Sequence, residues 1–120
     1  MKRIIFYSYL KCSTCRKAAK WLKSNDFEFQ LIDIVKEPPL VNYLNLALEQ
    51  YSDDKKRIFN ARSKAFKTLN IDINGLSREG IIQLLLSDGK LIKRPFVIYE
   101  GEKVILGFNE IEYSKQLTLV

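Results

Sequence analysis

Apolar positions change their spacing several times along this chain, and each change predicts an element. RIIFYSY, residues 3 to 9, is a compact β-branched and aromatic run and predicts a buried strand. From Cys12 to Ser24 the period becomes helical. Cys15, Ala18, Ala19 and Leu22 share one side there, with Arg16, Lys17, Lys20 and Lys23 mostly on the other. FEFQLIDIV, residues 27 to 35, alternates and predicts a second strand stopped by Pro38 and Pro39. Between Leu40 and about Phe66, the apolar residues Leu44, Leu48, Tyr51, Ile58, Phe59 and Phe66 predict a mostly helical insert. Ser77 is placed to cap a helix carrying Ile81, Ile82, Leu84 and Leu85, with Gly89 of SDG as its stop. Phe96 to Tyr99 and Lys103 to Leu106 predict two strands joined by a tight EGE turn, an antiparallel hairpin. Asn109, with Glu112 three residues later, resembles a capping box for a final helix reaching about Leu117.

This order predicts an α/β layered fold. A first βα unit feeds a second strand, a later hairpin joins the same sheet, and helices cover both faces. The 120 residues, 47% hydrophobic, fit one domain over residues 1 to 120 with the insert at about 38 to 88. No internal repeat, low-complexity tract or linker interrupts it. After Lys2 and Arg3 the apolar stretch is short, is broken by Tyr7, Ser8 and Tyr9, and lacks a signal-peptide cleavage pattern. No stretch reaches the roughly 20 apolar residues of a membrane span. The expected location is the cytoplasm, where thiols are kept reduced.

Charge adds an asymmetry. Lys and Arg number 20 against 14 acids, and seven basic residues precede the first acid, Asp26. Lys55, Lys56, Arg57, Arg62, Lys64 and Lys67 form a second run without an acid, whereas residues 100 to 120 hold four Glu against Lys103 and Lys115. Such a distribution suits an anionic substrate, an acidic protein surface or weak contact with nucleic acid, although a single surface lysine is ordinarily just solvated.

Both cysteines of the chain stand in KCSTCRKAAKWL, residues 11 to 22. A structural zinc site takes four Cys or His ligands, and this chain has two Cys and no His. A structural disulfide closing so short a loop removes little unfolded-state entropy. Redox chemistry or two incidental buried thiols remain. Cys12 falls in the turn between strand and helix, where the free N–H groups and dipole of the first turn favour a thiolate. Lys11, Arg16 and Lys17 add positive charge, and Ser13 and Thr14 supply hydroxyl donors where an anion would sit. Cys15, one turn on, is in reach to resolve a mixed disulfide or sulfenic acid at Cys12. C-x-x-C beside a βαβ pattern reads as thioredoxin-like. In such a fold, a cis Pro95 before the third strand would lie opposite the cysteine turn. Arg94 beside it would then present its fork of donors to an oxyanion at Cys12.

CSTC, SDGKLIKRP and GFNEIEYSKQL, in this order and spacing, resemble the arsenate reductase-like branch of the thioredoxin superfamily, which also holds the Spx-type redox regulators. The resemblance covers nearly the whole chain, insert included. It implies a thioredoxin-like fold with a helical insert between the second and third strands, Cys12 as nucleophile, Arg94 as oxyanion ligand and Pro95 as the cis-proline. It implies two activities. In glutaredoxin-linked arsenate reductases the cysteine attacks arsenate, glutathione displaces arsenite and glutaredoxin restores the enzyme. In Spx-type regulators the CxxC is a disulfide switch, and the domain binds the C-terminal domain of the RNA polymerase α subunit. The reductases carry two further arginines. Arg62 lies near the place of the first, and Gly107 stands at the place of the second.

Three readings follow. One is a thiol oxidoreductase acting on arsenate, another oxyanion or a disulfide, served by glutathione, glutaredoxin or thioredoxin. The second is a redox-switched partner of RNA polymerase α, and the third is a binding scaffold without turnover. Trp21, Tyr43, Tyr51 and Phe59 are expected as core or groove aromatics, and Asp53, Asp54, Glu100 and Glu102 as solvated turn charges. With no nucleic-acid motif, sequence-specific binding is not expected. With no Gly-rich phosphate loop and no His, neither a bound cofactor nor a metal is expected.

Overall fold

The computed structural model of the chain describes residues 3 to 117. Its four strands are β1 (Ile4–Ser8), β2 (Gln30–Asp33), β3 (Phe96–Tyr99) and β4 (Lys103–Leu106), in the sheet order β2-β1-β3-β4. β1 pairs parallel with β2 and antiparallel with β3, and β3 pairs antiparallel with β4. α1 (Ser13–Ser24) crosses from β1 to β2 as expected of a βαβ unit. The insert carries α2 (Val41–Gln50), α3 (Lys64–Leu69) and α4 (Arg78–Ser87) with short 3₁₀ turns between them, and α5 (Glu110–Gln116) closes the order.

The apolar run in β1 is continuous because this strand is buried on both faces. Successive side chains alternate. Ile4 and Phe6 join Ala18, Leu22, Val97, Ile105 and Tyr113 under α1 and α5. Ile5 and Tyr7 join Leu44, Leu48, Ile81, Leu85, Phe96 and Ile98 under the insert. Each layer covers one face of the sheet, so the C-terminal end of β1 and the start of α1 meet the start of β3 along one rim. That rim holds Cys12.

Several predicted boundaries move for local reasons. β2 starts at Gln30 because Phe27 and Phe29 pack into the α1 layer instead of extending the strand. It ends at Asp33, before the prolines, because the Asp33 carboxylate accepts from the N–H groups of Val35 and Lys36 and turns the chain. The insert breaks into short pieces. Ser63 caps α3 by accepting from the Phe66 N–H at 3.1 Å, and Asn70 ends it in the left-handed conformation. Ser77 and Asn109 cap α4 and α5 as expected, accepting from the N–H groups of Gly80 and Glu112 at 3.0 Å each. The hairpin turn forms with positive φ at Glu100 and Gly101.

Gly89 does not act as a left-handed helix stop. α4 ends in extended backbone at Asp88, and Gly89 is buried at the start of a 3₁₀ turn, Gly89–Leu91. A Cβ on Gly89 would stand 2.2 Å from the Ile34 carbonyl oxygen and 2.9 Å from Val35 Cα. Glycine is required here for a close backbone approach, which joins the insert to the end of β2.

Candidate functional site

Cys12 is the N-cap of α1, in extended conformation with φ −90° and ψ 116°, and is half-buried. Cys15 lies at the third helical position and is 1% exposed, because the helical period that buries Ala18 and Leu22 also turns Cys15 to the sheet. Both are free thiols. Burial by itself would push the Cys12 thiol up. The Cys15 N–H, the Cys15 thiol and the Arg94 guanidinium outweigh it and hold Cys12 below the ordinary thiol range. Cys15 moves the other way, to about 11. Burial leads, and the Cys12 sulfur adds to it, while the Tyr9 N–H and the Ser8 hydroxyl oppose the rise. One turn of helix thus carries one thiol whose ionisation is favoured and a second, near 11, that stays protonated at neutral pH.

The Arg94–Pro95 bond is cis, in keeping with the resemblance. Arg94 is half-buried with its guanidinium carbon 4.9 Å from the centre of the Tyr9 ring, so the ring anchors the cation beside Cys12. Its Nη1 reaches toward the Lys90 carbonyl at 3.5 Å, and its Nε is buried with no hydrogen bond inside the protein. Cys12 and Arg94 open onto a groove of about 920 Å³. Six cations line it, Lys11, Lys56, Arg57, Arg62, Lys93 and Arg94, against one carboxylate, Asp54. The insert, the approach to β3, the turn into α1 and the segment after β4 all contribute to its lining.

Of the sequence-predicted residues, Cys12, Ser13, Thr14, Arg62 and Arg94 line this groove together. Cys15 is buried behind Cys12, and Pro95 is buried at the base of β3. Arg16 is not brought in. It projects from the exposed side of α1 and donates from Nη1 to the Leu10 carbonyl at 2.8 Å, where it braces the loop before Cys12. Lys17 also lies outside the lining. Sequence reading missed Tyr9 as the platform for Arg94, and Lys56, Arg57 and Lys93 as groove cations. The charge runs KKR and KR were visible, but their convergence on Cys12 depends on how the insert folds back. Among the described residues no group of three or more His, Cys, Asp or Glu side chains could hold a metal, and no helix is long and apolar enough to cross a membrane.

These shifts set a pH dependence. A thiol reacts through its thiolate, so a lowered pKa keeps Cys12 reactive at pH values where a free cysteine has become protonated. Cys15, near 11, stays protonated through neutral pH. Iodoacetamide is expected to label Cys12 alone at pH 6 to 7, with a rate-against-pH midpoint below that of a cysteine peptide. The midpoint moves up in Arg94→Gln. Mass-spectrometric assignment across a pH series checks both, and equal labelling of the two cysteines at neutral pH would contradict the asymmetry.

A model of the ArsC family matches residues 7–116. The chain belongs to the ArsC family. A Bacillus subtilis (strain 168) relative, the uncharacterized protein YusI, is 39% identical over 114 residues, covering 93% of this chain and 96% of the relative. The global transcriptional regulator Spx of Lactiplantibacillus plantarum is 33% identical over 114 residues, covering 95% of this chain and 86% of that protein. Among solved structures, a possible arsenate reductase from Streptococcus mutans UA159 superposes with a TM-score of 0.81 at 36% identity, covering 88% of this chain and 91% of that one. The ArsC-family fold, thioredoxin-like with a helical insert between the second and third strands, is the one expected from the sequence. The chain is thus similar both to a protein named as a transcriptional regulator and to one named as a possible arsenate reductase.

Proposed function

We propose that the protein is a thiol oxidoreductase in which the Cys12 thiolate attacks an oxyanion or a disulfide. The observation that carries this reading is the opposed setting of the two thiols, Cys12 lowered and Cys15 pushed up to about 11, at the end of a cationic groove. With a disulfide substrate, the Cys12 sulfur forms a new S–S bond and the leaving half departs as thiolate. Cys15 then gives up its proton and attacks Cys12, releasing the second half and leaving a Cys12–Cys15 disulfide. An external dithiol, glutaredoxin or thioredoxin, returns the pair to thiols. With arsenate, the Cys12 sulfur bonds to arsenic as an oxygen leaves as water, and a thiol such as glutathione attacks that sulfur. Arsenite departs with the electron pair. Arg94, Arg62 and the N–H groups from Ser13 to Cys15 hold the developing negative charge, with the Ser13 and Thr14 hydroxyls beside them and Pro95 shaping the Arg94 turn. Gly107 supplies no charge to this set, and one missing arginine contact is worth about 1.5 to 3 kcal/mol. Turnover of a disulfide is therefore expected to exceed that of arsenate. On this reading the protein works in the cytoplasm with its thiol reductants.

The test follows NADPH loss with glutathione, glutaredoxin and glutathione reductase, supplying arsenate or a small mixed disulfide. Protein carboxamidomethylated at Cys12 serves as the control. Cys12-dependent consumption supports the enzyme. Its absence for both substrates, with thiols reduced and fold intact, removes it.

The similarity to Spx supports a second reading, in which the same pair is a redox switch and the protein binds the C-terminal domain of the RNA polymerase α chain. Binding that changes between the dithiol and disulfide forms would carry it.

A further inference from the structure

Gly107 follows β4 and lines the same groove as Cys12, and its backbone is held by two hydrogen bonds. It has φ +73°, its N–H donates to the Pro95 carbonyl at 2.9 Å, and its carbonyl accepts from the buried Tyr113 hydroxyl at 2.6 Å. Above it runs Lys93. A Cβ on Gly107 would stand 3.3 Å from Lys93 Cε, closer than ordinary packing, so the lysine stem lies across the bare glycine. The Lys93 N–H donates to the Ile58 carbonyl at 2.8 Å, which fixes the base of that stem to the insert. Lys93 and Cys12 line the same groove. Lys93 is the groove cation whose position depends on the absence of a side chain at Gly107.

We propose that Lys93, laid over Gly107, is a specificity-determining residue of the groove that holds the anionic group of the molecule approaching Cys12. This rests on the reading of Cys12 as the nucleophile. An ammonium is a point charge with three rotatable donors, so Lys93 selects for negative charge near Cys12 without demanding one planar anion geometry. A side chain at Gly107 would displace the stem and also meet the left-handed backbone.

The experiment compares alkylation of Cys12 by anionic iodoacetate and neutral iodoacetamide. In both the thiolate displaces iodide and forms an S–C bond, so the chemistry is shared and the charge differs. The ratio of the two rate constants, with the site assigned by mass spectrometry, is expected to exceed that of a cysteine peptide. It should fall roughly three- to tenfold in Lys93→Met, stay close to the parent in Lys93→Arg, and fall in Gly107→Ala. Lys23→Met removes a charge from the exposed last turn of α1, outside the groove lining, and should leave the ratio unchanged. If Lys93→Met disturbs folding by circular dichroism, Lys93→Gln takes its place.

A folded Lys93→Met or Lys93→Gln with the parent's ratio overturns the assignment. So does an equal fall in Lys23→Met, which would trace the preference to net charge. If Cys12 reacts with both reagents no faster than the peptide, the nucleophile reading fails on its own, and the ratio still reports on Lys93.

Discussion

Cys12→Ser is expected to abolish turnover, by roughly a thousandfold or more, as removal of a covalent nucleophile does. Cys15→Ser should behave differently. Cys12 still attacks, because its exposure and its contact with Arg94 do not depend on a thiol at position 15. The Cys15 N–H that faces the Cys12 sulfur is also retained in the serine variant. What is lost is resolution. The protein should accumulate as a mixed disulfide with its substrate, visible as an intact-mass increase that dithiothreitol reverses, and turnover should require added thiol. Cys15 is 1% exposed, so nothing other than Cys12 or a neighbour within the protein meets its sulfur readily. Trapping in Cys15→Ser together with silence in Cys12→Ser would fix the order of events. Equal loss in both without a trapped adduct would argue that the pair acts only as a switch.

Gly89→Ala should be the most damaging small change in the fold. Its Cβ would come within 2.2 Å of the Ile34 carbonyl oxygen, and the obstruction is backbone, which has no rotamer to yield. Relief requires moving either the end of β2 or the start of the 3₁₀ turn that leads to Arg94. Overpacking of this kind costs about 3 kcal/mol or more, which for a chain of this size lowers Tm by roughly 10 °C. Thermal denaturation followed by circular dichroism checks it. The shift should also reach the site, because Lys90, whose carbonyl faces Arg94, is the next residue. A rise in the Cys12 alkylation midpoint in folded Gly89→Ala would show that link. A melting point within a degree or two of the parent would mean that the approach is looser than the structure describes.

Much of the architecture was open to sequence reading because it depends on local pattern. The doubly buried run of β1, the three-and-four spacing of Cys15, Ala18 and Leu22, the caps at Ser77 and Asn109 and the hairpin around Gly101 all concern residues within a few positions of each other. The edges of β2 were not legible. Phe27 and Phe29 alternate like strand residues but find their burial under α1, a choice made by tertiary packing. Gly89 shows the same division. Following a helix and an Asp, it has the sequence context of a left-handed stop, yet its requirement comes from Ile34 and Val35, more than fifty residues earlier in the chain.

The site divides in the same way. The sequence by itself determined that Cys12 would cap a helix and that Cys15 would turn inward, because helical geometry alone sets both, and it marked Arg94 and Pro95 as a pair preceding a strand. Only the tertiary structure decided which cations reach Cys12. Arg16, four residues from Cys12, swings to the Leu10 carbonyl, whereas Arg94, more than eighty residues away, lies on the Tyr9 ring against the thiol. Helix phase sends the near charge outward, and antiparallel pairing of β3 with β1 brings the distant one in.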